Sequence, residues 1–147
     1  MTLPVVADLL MGWDGKLPVD PSKFAVENGI SVLYDDELEK TGRSGRYSPE
    51  KRTIYINRKE PEYRQRFTVA HELGHCLLEH GARNRVNKTL EAPDHCEREA
   101  NQFAAELLMP EYAVKKLAPD NGLDMLAWYF DVSTTAMYFR MKNLGLL

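Results

Sequence analysis

The spacing of apolar residues changes three times along the chain. From Val5 to Met11 they recur at helical intervals, and a second helix is predicted to open at Asp20-Pro21 and stop at Asn28-Gly29, where an acceptor side chain precedes proline at the first helical position. The period then drops to two. ISVLY (30–34) is β-branched and aromatic, RTIYIN (52–57) alternates Ile54 and Ile56 against Thr53 and Tyr55, and SGRYS followed by Pro49-Glu50 reads as a hairpin partner with its turn. Helical spacing returns near Pro61 or Glu62, with Gly81 as the stop signal, and again in DHCEREANQFAAELLMP (94–110), which Pro110 ends. The segment LDMLAWYFDVSTTAMYFRMKNLGLL closes the chain as two short helices joined through Asp131-Val132-Ser133, with Ser133 as N-cap. The expected fold class is therefore α+β: mostly helical, with a small, mainly antiparallel sheet of about three strands ahead of the Pro61–Gly81 helix.

With 147 residues and no repeat, low-complexity run or linker, a single domain over 1–147 is expected, with 121–147 as a C-terminal helical pair packed on it. A hydrophobic fraction of 44%, a charged fraction of 28% and a net charge of -3 describe an ordinary globular chain with no general pull toward nucleic acid or anionic lipid. One stretch departs from this balance: residues 40–66 hold nine Lys or Arg against three Glu, a solvated basic edge or a surface for an acidic partner. MTLPVVADLLMGWDG lacks a basic n-region and is interrupted by Asp8, no apolar run is long enough to span a bilayer, and two cysteines are too few for a disulfide framework. A cytoplasmic protein without membrane contact is expected.

The chemistry concentrates in RFTVAHELGHCLLEH (66–80). On a helix with His71 at zero, His75 falls near 40° and Glu72 near 100°, on one face, whereas His80 falls near 180°. Two neutral imidazoles one turn apart can bind one tetrahedral Zn²⁺, and the glutamate between them is placed to act as general base on a water that the metal activates. A catalytic zinc needs a third protein ligand. The metzincin continuation fails, because position 78 is leucine and position 81 is glycine. In residues 94–110 the apolar positions Ala100, Phe103, Ala104, Leu107 and Leu108 define a buried stripe, and Glu97 lies within about 40° of its centre. Glu99 lies about 120° away, beside Glu106 on the polar side. Glu97 is thus the preferred ligand, because an inward carboxylate is costly unless paired or metal-bound. Asn101, one turn further along the same face, is placed to orient a ligand.

Together, RFTVAHELGHCLLEH and EREANQFAAELLMP resemble the ImmA/IrrE family of metallopeptidases, and the likeness runs from the strand before the first motif to the C-terminal helices. The resemblance implies a zincin-like fold, zinc held by His71, His75 and Glu97, and Glu72 as base. It also implies a biology: an endopeptidase that cleaves a helix-turn-helix repressor, or triggers its removal, and so relieves transcription of stress or mobile-element genes. The alternative is a non-cleaving binding module on the same scaffold, sequestering a repressor or forming half of a toxin-antitoxin-like pair. Oxyanion stabilisation beyond the metal could come from Tyr112, Tyr129 or His95, among which the sequence does not choose. TIYIN could offer an edge to which an extended substrate adds, or could be an internal strand. The closing helical pair has a helix-turn-helix layout. Its second helix carries only Arg140, Lys142 and Asn143 against a largely apolar surface, so no direct nucleic-acid binding is expected.

Overall fold

In the computed structural model, which describes residues 2–78 and 94–147, the first elements are α1 (Pro4–Leu10), α2 (Pro21–Glu27), β1 (Ser31–Tyr34) and α3 (Asp36–Thr41). They are followed by the hairpin β2 (Gly45–Ser48) and β3 (Thr53–Ile56), and then by the long α4 (Glu62–Leu77). Beyond residue 93 come α5 (Asp94–Leu108), α6 (Glu111–Leu117), a 3-10 turn (Ala118–Asp120), α7 (Leu123–Phe130) and α8 (Thr134–Asn143). This is the α+β architecture the sequence predicts, with three strands ahead of the histidine-bearing helix.

Local signals act where expected. Asp20 accepts a hydrogen bond from the Ser22 amide to start α2, and the Ser133 hydroxyl accepts one from Ala136 to start α8. Helix α4 ends at Leu77, ahead of the glycine taken as its stop signal; Gly81 and His80 lie outside the described residues. Two short helices go unpredicted. α3 buries only Leu38, so it has no apolar period to read, although Asp35 caps it. α6 begins directly at the proline that ends α5.

The sheet has the order β1-β3-β2 and is mixed. β2 pairs antiparallel with β3 across the Pro49-Glu50 turn as expected, but β1 pairs parallel with β3, because α3 carries the chain across before β2 begins. β3 therefore lies between two partners. The strand considered as a substrate edge is internal, and among the described residues the free edges belong to β1 and β2.

One face of the sheet packs on α4, where Ile54, Val69, Leu73, Phe103 and Leu107 are buried without solvent contact or nearly so. A second apolar cluster (Met109, Val114, Leu126, Phe130, Met137 and Met141) joins the C-terminal helices, and Trp13, Leu17 and Val132 touch both clusters. Arg140 is buried against α5, where its Nε donates to the Met109 carbonyl at 2.9 Å, so the helix end gains a cation and the closing helix loses one of its few base-reading side chains. Burial holds its pKa below the usual arginine value, opposed by Glu106 and Glu111. Glu106 departs from its predicted place on the polar side: it is buried, accepting the Leu3 amide at 2.7 Å and the Gln102 side chain at 2.8 Å, and so ties the N-terminal segment to α5.

Much of the basic stretch has intramolecular partners. Arg46 pairs with Asp35 and stacks on Tyr55, Arg52 donates to the carbonyls of Asn28 and Gly29, and Arg66 pairs with Asp131 and donates to the Val19 carbonyl. No helix among the described residues is long and apolar enough to cross a membrane, and both cysteines are free thiols.

Candidate metal centre

Helices α4 and α5 lie side by side, with Gly74 packed tightly against Phe103. An α-helix brings residues four apart onto one stripe, so the stripe of α4 presents Tyr63, Phe67, His71 and His75, and that of α5 presents Glu97, Asn101 and Ala105, with Met109 just past its end. Contacts fix their register as antiparallel: His75 meets Glu97, and His71 meets Asn101.

At that level the structure brings together His71, His75 and Glu97. His75 Nε2 lies 2.8 Å from Glu97 Oε1, His71 Nε2 lies 3.2 Å from Glu97 Oε2, and the two Nε2 atoms are 3.2 Å apart. The imidazoles meet edge to face, with centroids 4.7 Å apart at 81°. The His75 side chain is almost fully enclosed, that of His71 is 16% exposed and that of Glu97 is 43% exposed, so the carboxylate meets the pair from the solvent side and does not enter the core. Glu99 is exposed on the same helix and lies outside the cluster.

Asn101 stands where the stripe predicts, with Oδ1 2.9 Å from His71 Nδ1. With the amide oxygen accepting from Nδ1–H, the neutral ring keeps its lone pair on Nε2, turned toward His75 and Glu97. Three lone-pair donors so close together repel unless a proton or a cation sits among them. Ligands at about 2.0 to 2.1 Å around a tetrahedral ion stand roughly 3.3 Å apart, close to the separations found here. The N, N, O donor set and its spacing therefore fit a divalent metal ion. Asn101→Ala is expected to weaken metal binding by about tenfold or more, checked by competition with a calibrated chelator, while Asn101→Asp, which keeps the acceptor, stays nearer the parent.

Glu72 follows His71 on α4 and is buried, 7% exposed. Two neighbours were not singled out from the sequence. Phe67, one turn before His71, packs its ring against that imidazole at 6.0 Å and 29°, and the four-residue spacing was the available signal. Tyr47 on β2 receives the Cys76 thiol at 3.3 Å and so links the edge strand to the residue after His75. The three oxyanion candidates have other settings: Tyr112 is 75% exposed beside Lys116, Tyr129 packs on Trp128, and His95 lies against Cys96.

The mixed three-stranded sheet packed on α4, with α5 antiparallel beside it, is a zincin-like α+β fold. The IrrE N-terminal-like domain of the peptidase M78 family matches residues 25–142, and the chain belongs to that family. It is 32% identical over 132 residues to the radiation response metalloprotease IrrE of Deinococcus deserti, covering 79% of this chain and 44% of that protein. It is 31% identical over 98 residues to the metallopeptidase ImmA of Bacillus subtilis, covering 63% and 56%. It is also 37% identical over 73 residues to an uncharacterized immunity region protein of Bacillus phage phi105, covering 48% and 46%. A Mycobacterium tuberculosis transcriptional regulator shares the fold at TM-score 0.65 and 23% identity, over 96% of this chain and 48% of that one. The chain thus spans about half the length of the relatives it matches.

Proposed function

We propose that the chain is a zinc-dependent endopeptidase that cleaves a regulatory protein, with a helix-turn-helix repressor as the substrate class and relief of repression as the outcome. The observation that carries the reading is the convergence of His71 Nε2, His75 Nε2 and a Glu97 carboxylate oxygen within 4.8 Å of one another, with Glu72 next to the first ligand. A purely structural zinc site is closed by four protein ligands and has no use for a base. Three donors with a carboxylate beside them suit catalysis. The relatives, a metalloprotease, a metallopeptidase and a phage immunity-region protein, support the activity and a regulatory setting.

A zinc ion held there supplies Lewis acidity, lowering the pKa of water and polarising a peptide carbonyl. The chain's own residues do the rest. Asn101 fixes the His71 tautomer, and His71, His75 and Glu97 would hold the ion, with the Glu97 carboxylate contributing negative charge. Glu72 takes the proton of the attacking water and delivers it to the leaving amine as the carbon–nitrogen bond breaks. Nitrogen and carboxylate donors in this number favour zinc over harder ions that demand oxygen-rich shells.

Elemental analysis of purified protein tests the centre directly. One zinc per chain is expected in the parent and in Glu99→Ala, with loss in His71→Ala, His75→Ala and Glu97→Ala. A parent that stays metal-free when zinc is supplied, or a site lost in Glu99→Ala but kept in Glu97→Ala, would overturn the assignment.

A further inference from the structure

Beyond the ligands, the paired stripes of α4 and α5 continue away from the metal centre and open into a cavity of about 570 Å³. Phe67, Asn101, Ala105 and Met109 form its walls, and Val132 and Ala136, from the α7–α8 junction, lie across them. Two of these residues belong to both places: Asn101 bonds His71 while lining the cavity, and Phe67 packs on His71 while lining the cavity. The near end of the cavity is therefore one helical turn, about 5.4 Å, from the donor cluster. An extended peptide rises about 3.3 Å per residue and turns alternate side chains to one side, so a chain with its carbonyl at the cluster aims a neighbouring side chain into this space.

The lining selects what enters. It is mostly apolar; Arg64, exposed on the first turns of α4, is the charged residue among the described residues that line it, and none of these is a carboxylate. A cationic side chain would face Arg64 on one side and the metal on the other, and would meet no carboxylate among the described lining residues. A leucine-, methionine- or phenylalanine-sized side chain would cover Phe67, Ala105, Met109 and Val132 and displace water from them.

We propose that this cavity is the specificity pocket of the centre, receiving a large uncharged apolar side chain of the substrate residue adjoining the scissile bond and rejecting lysine and arginine. The inference rests on the metallopeptidase reading above and adds the substrate chemistry that reading lacks.

The probes are the N-acetyl hydroxamates of leucine, glycine and lysine, titrated calorimetrically into zinc-loaded protein. They share one metal-chelating group and differ only in the side chain. The leucine compound is expected to bind about tenfold or more tighter than the glycine compound, and the lysine compound no tighter than glycine. Ala105→Phe and Ala136→Phe, which fill the cavity from two different helices, should each erase the leucine advantage while keeping bound zinc and the affinity for the glycine compound. Equal binding of leucine and glycine compounds by zinc-loaded protein, or a leucine advantage that survives in both variants, overturns the pocket while the metal centre stands. If the protein holds no zinc and binds none of the three, the metallopeptidase reading fails and takes the pocket with it.

Discussion

Glu72→Gln is expected to slow peptide-bond hydrolysis by about 10²- to 10⁴-fold while leaving the metal in place. Glutamine keeps the length and planarity of the side chain but cannot take a proton, and Glu72 is not one of the three converging donors. Ion content and fold should therefore match the parent, so that a lost rate reports proton transfer alone. The measurement is the appearance of new protein N-termini in a bacterial lysate incubated with each zinc-loaded protein, quantified by amine labelling and mass spectrometry. Cleavage by the variant at the parental rate would remove Glu72 from the chemistry. If neither protein ever generates a new terminus yet both retain the same binding partner, the scaffold acts as a binding module, and the buried carboxylate has a structural role.

The histidine pair of the candidate centre is legible in the sequence because it lies within one helix: four-residue spacing alone brings His71 and His75 together, whatever the rest of the chain does. Glu97 is harder, since its approach depends on how α5 packs on α4. It could be read only because a buried apolar stripe shows which face of α5 turns toward its neighbour. The same wheel misplaced Glu106, whose burial is compensated by the Leu3 amide, a partner 103 residues away that no local pattern encodes. Strand positions followed from period two, but the parallel pairing of β1 did not. It depends on α3, six residues long with one buried leucine, too short to declare itself by periodicity. The cavity beside the metal centre was likewise invisible, because its walls come from three separated segments and exist only once α8 is docked against α5.

Close packing of α4 on α5 makes Gly74→Ala the other strong expectation. A Cβ at position 74 would lie 2.9 Å from Phe103 Cδ1, 3.0 Å from Cγ and 3.1 Å from Cβ, against a ring with no solvent exposure. Alanine would gain about 1 kcal/mol in helix propensity. Overpacking an enclosed site costs about 1 to 3 kcal/mol, and here rotation of the ring offers little relief because the contact includes Phe103 Cβ, which moves only with the backbone. The helices must then separate by some tenths of an ångström, and the donors they carry separate with them: His71 and His75 on one side, Glu97 on the other. Gly74→Ala should therefore lower the thermal midpoint by several degrees and weaken zinc binding in the same protein, measured by calorimetric melting and chelator competition. Adding Phe103→Ala, which removes the Cγ and Cδ1 atoms that the new methyl strikes and leaves only the Cβ contact, should recover part of the zinc affinity that Gly74→Ala loses, even though Phe103→Ala alone is destabilising. A Gly74→Ala protein with parental stability and parental zinc affinity would mean that the helix separation is set elsewhere and that Gly74 is not what holds the three donors within bonding distance of one ion.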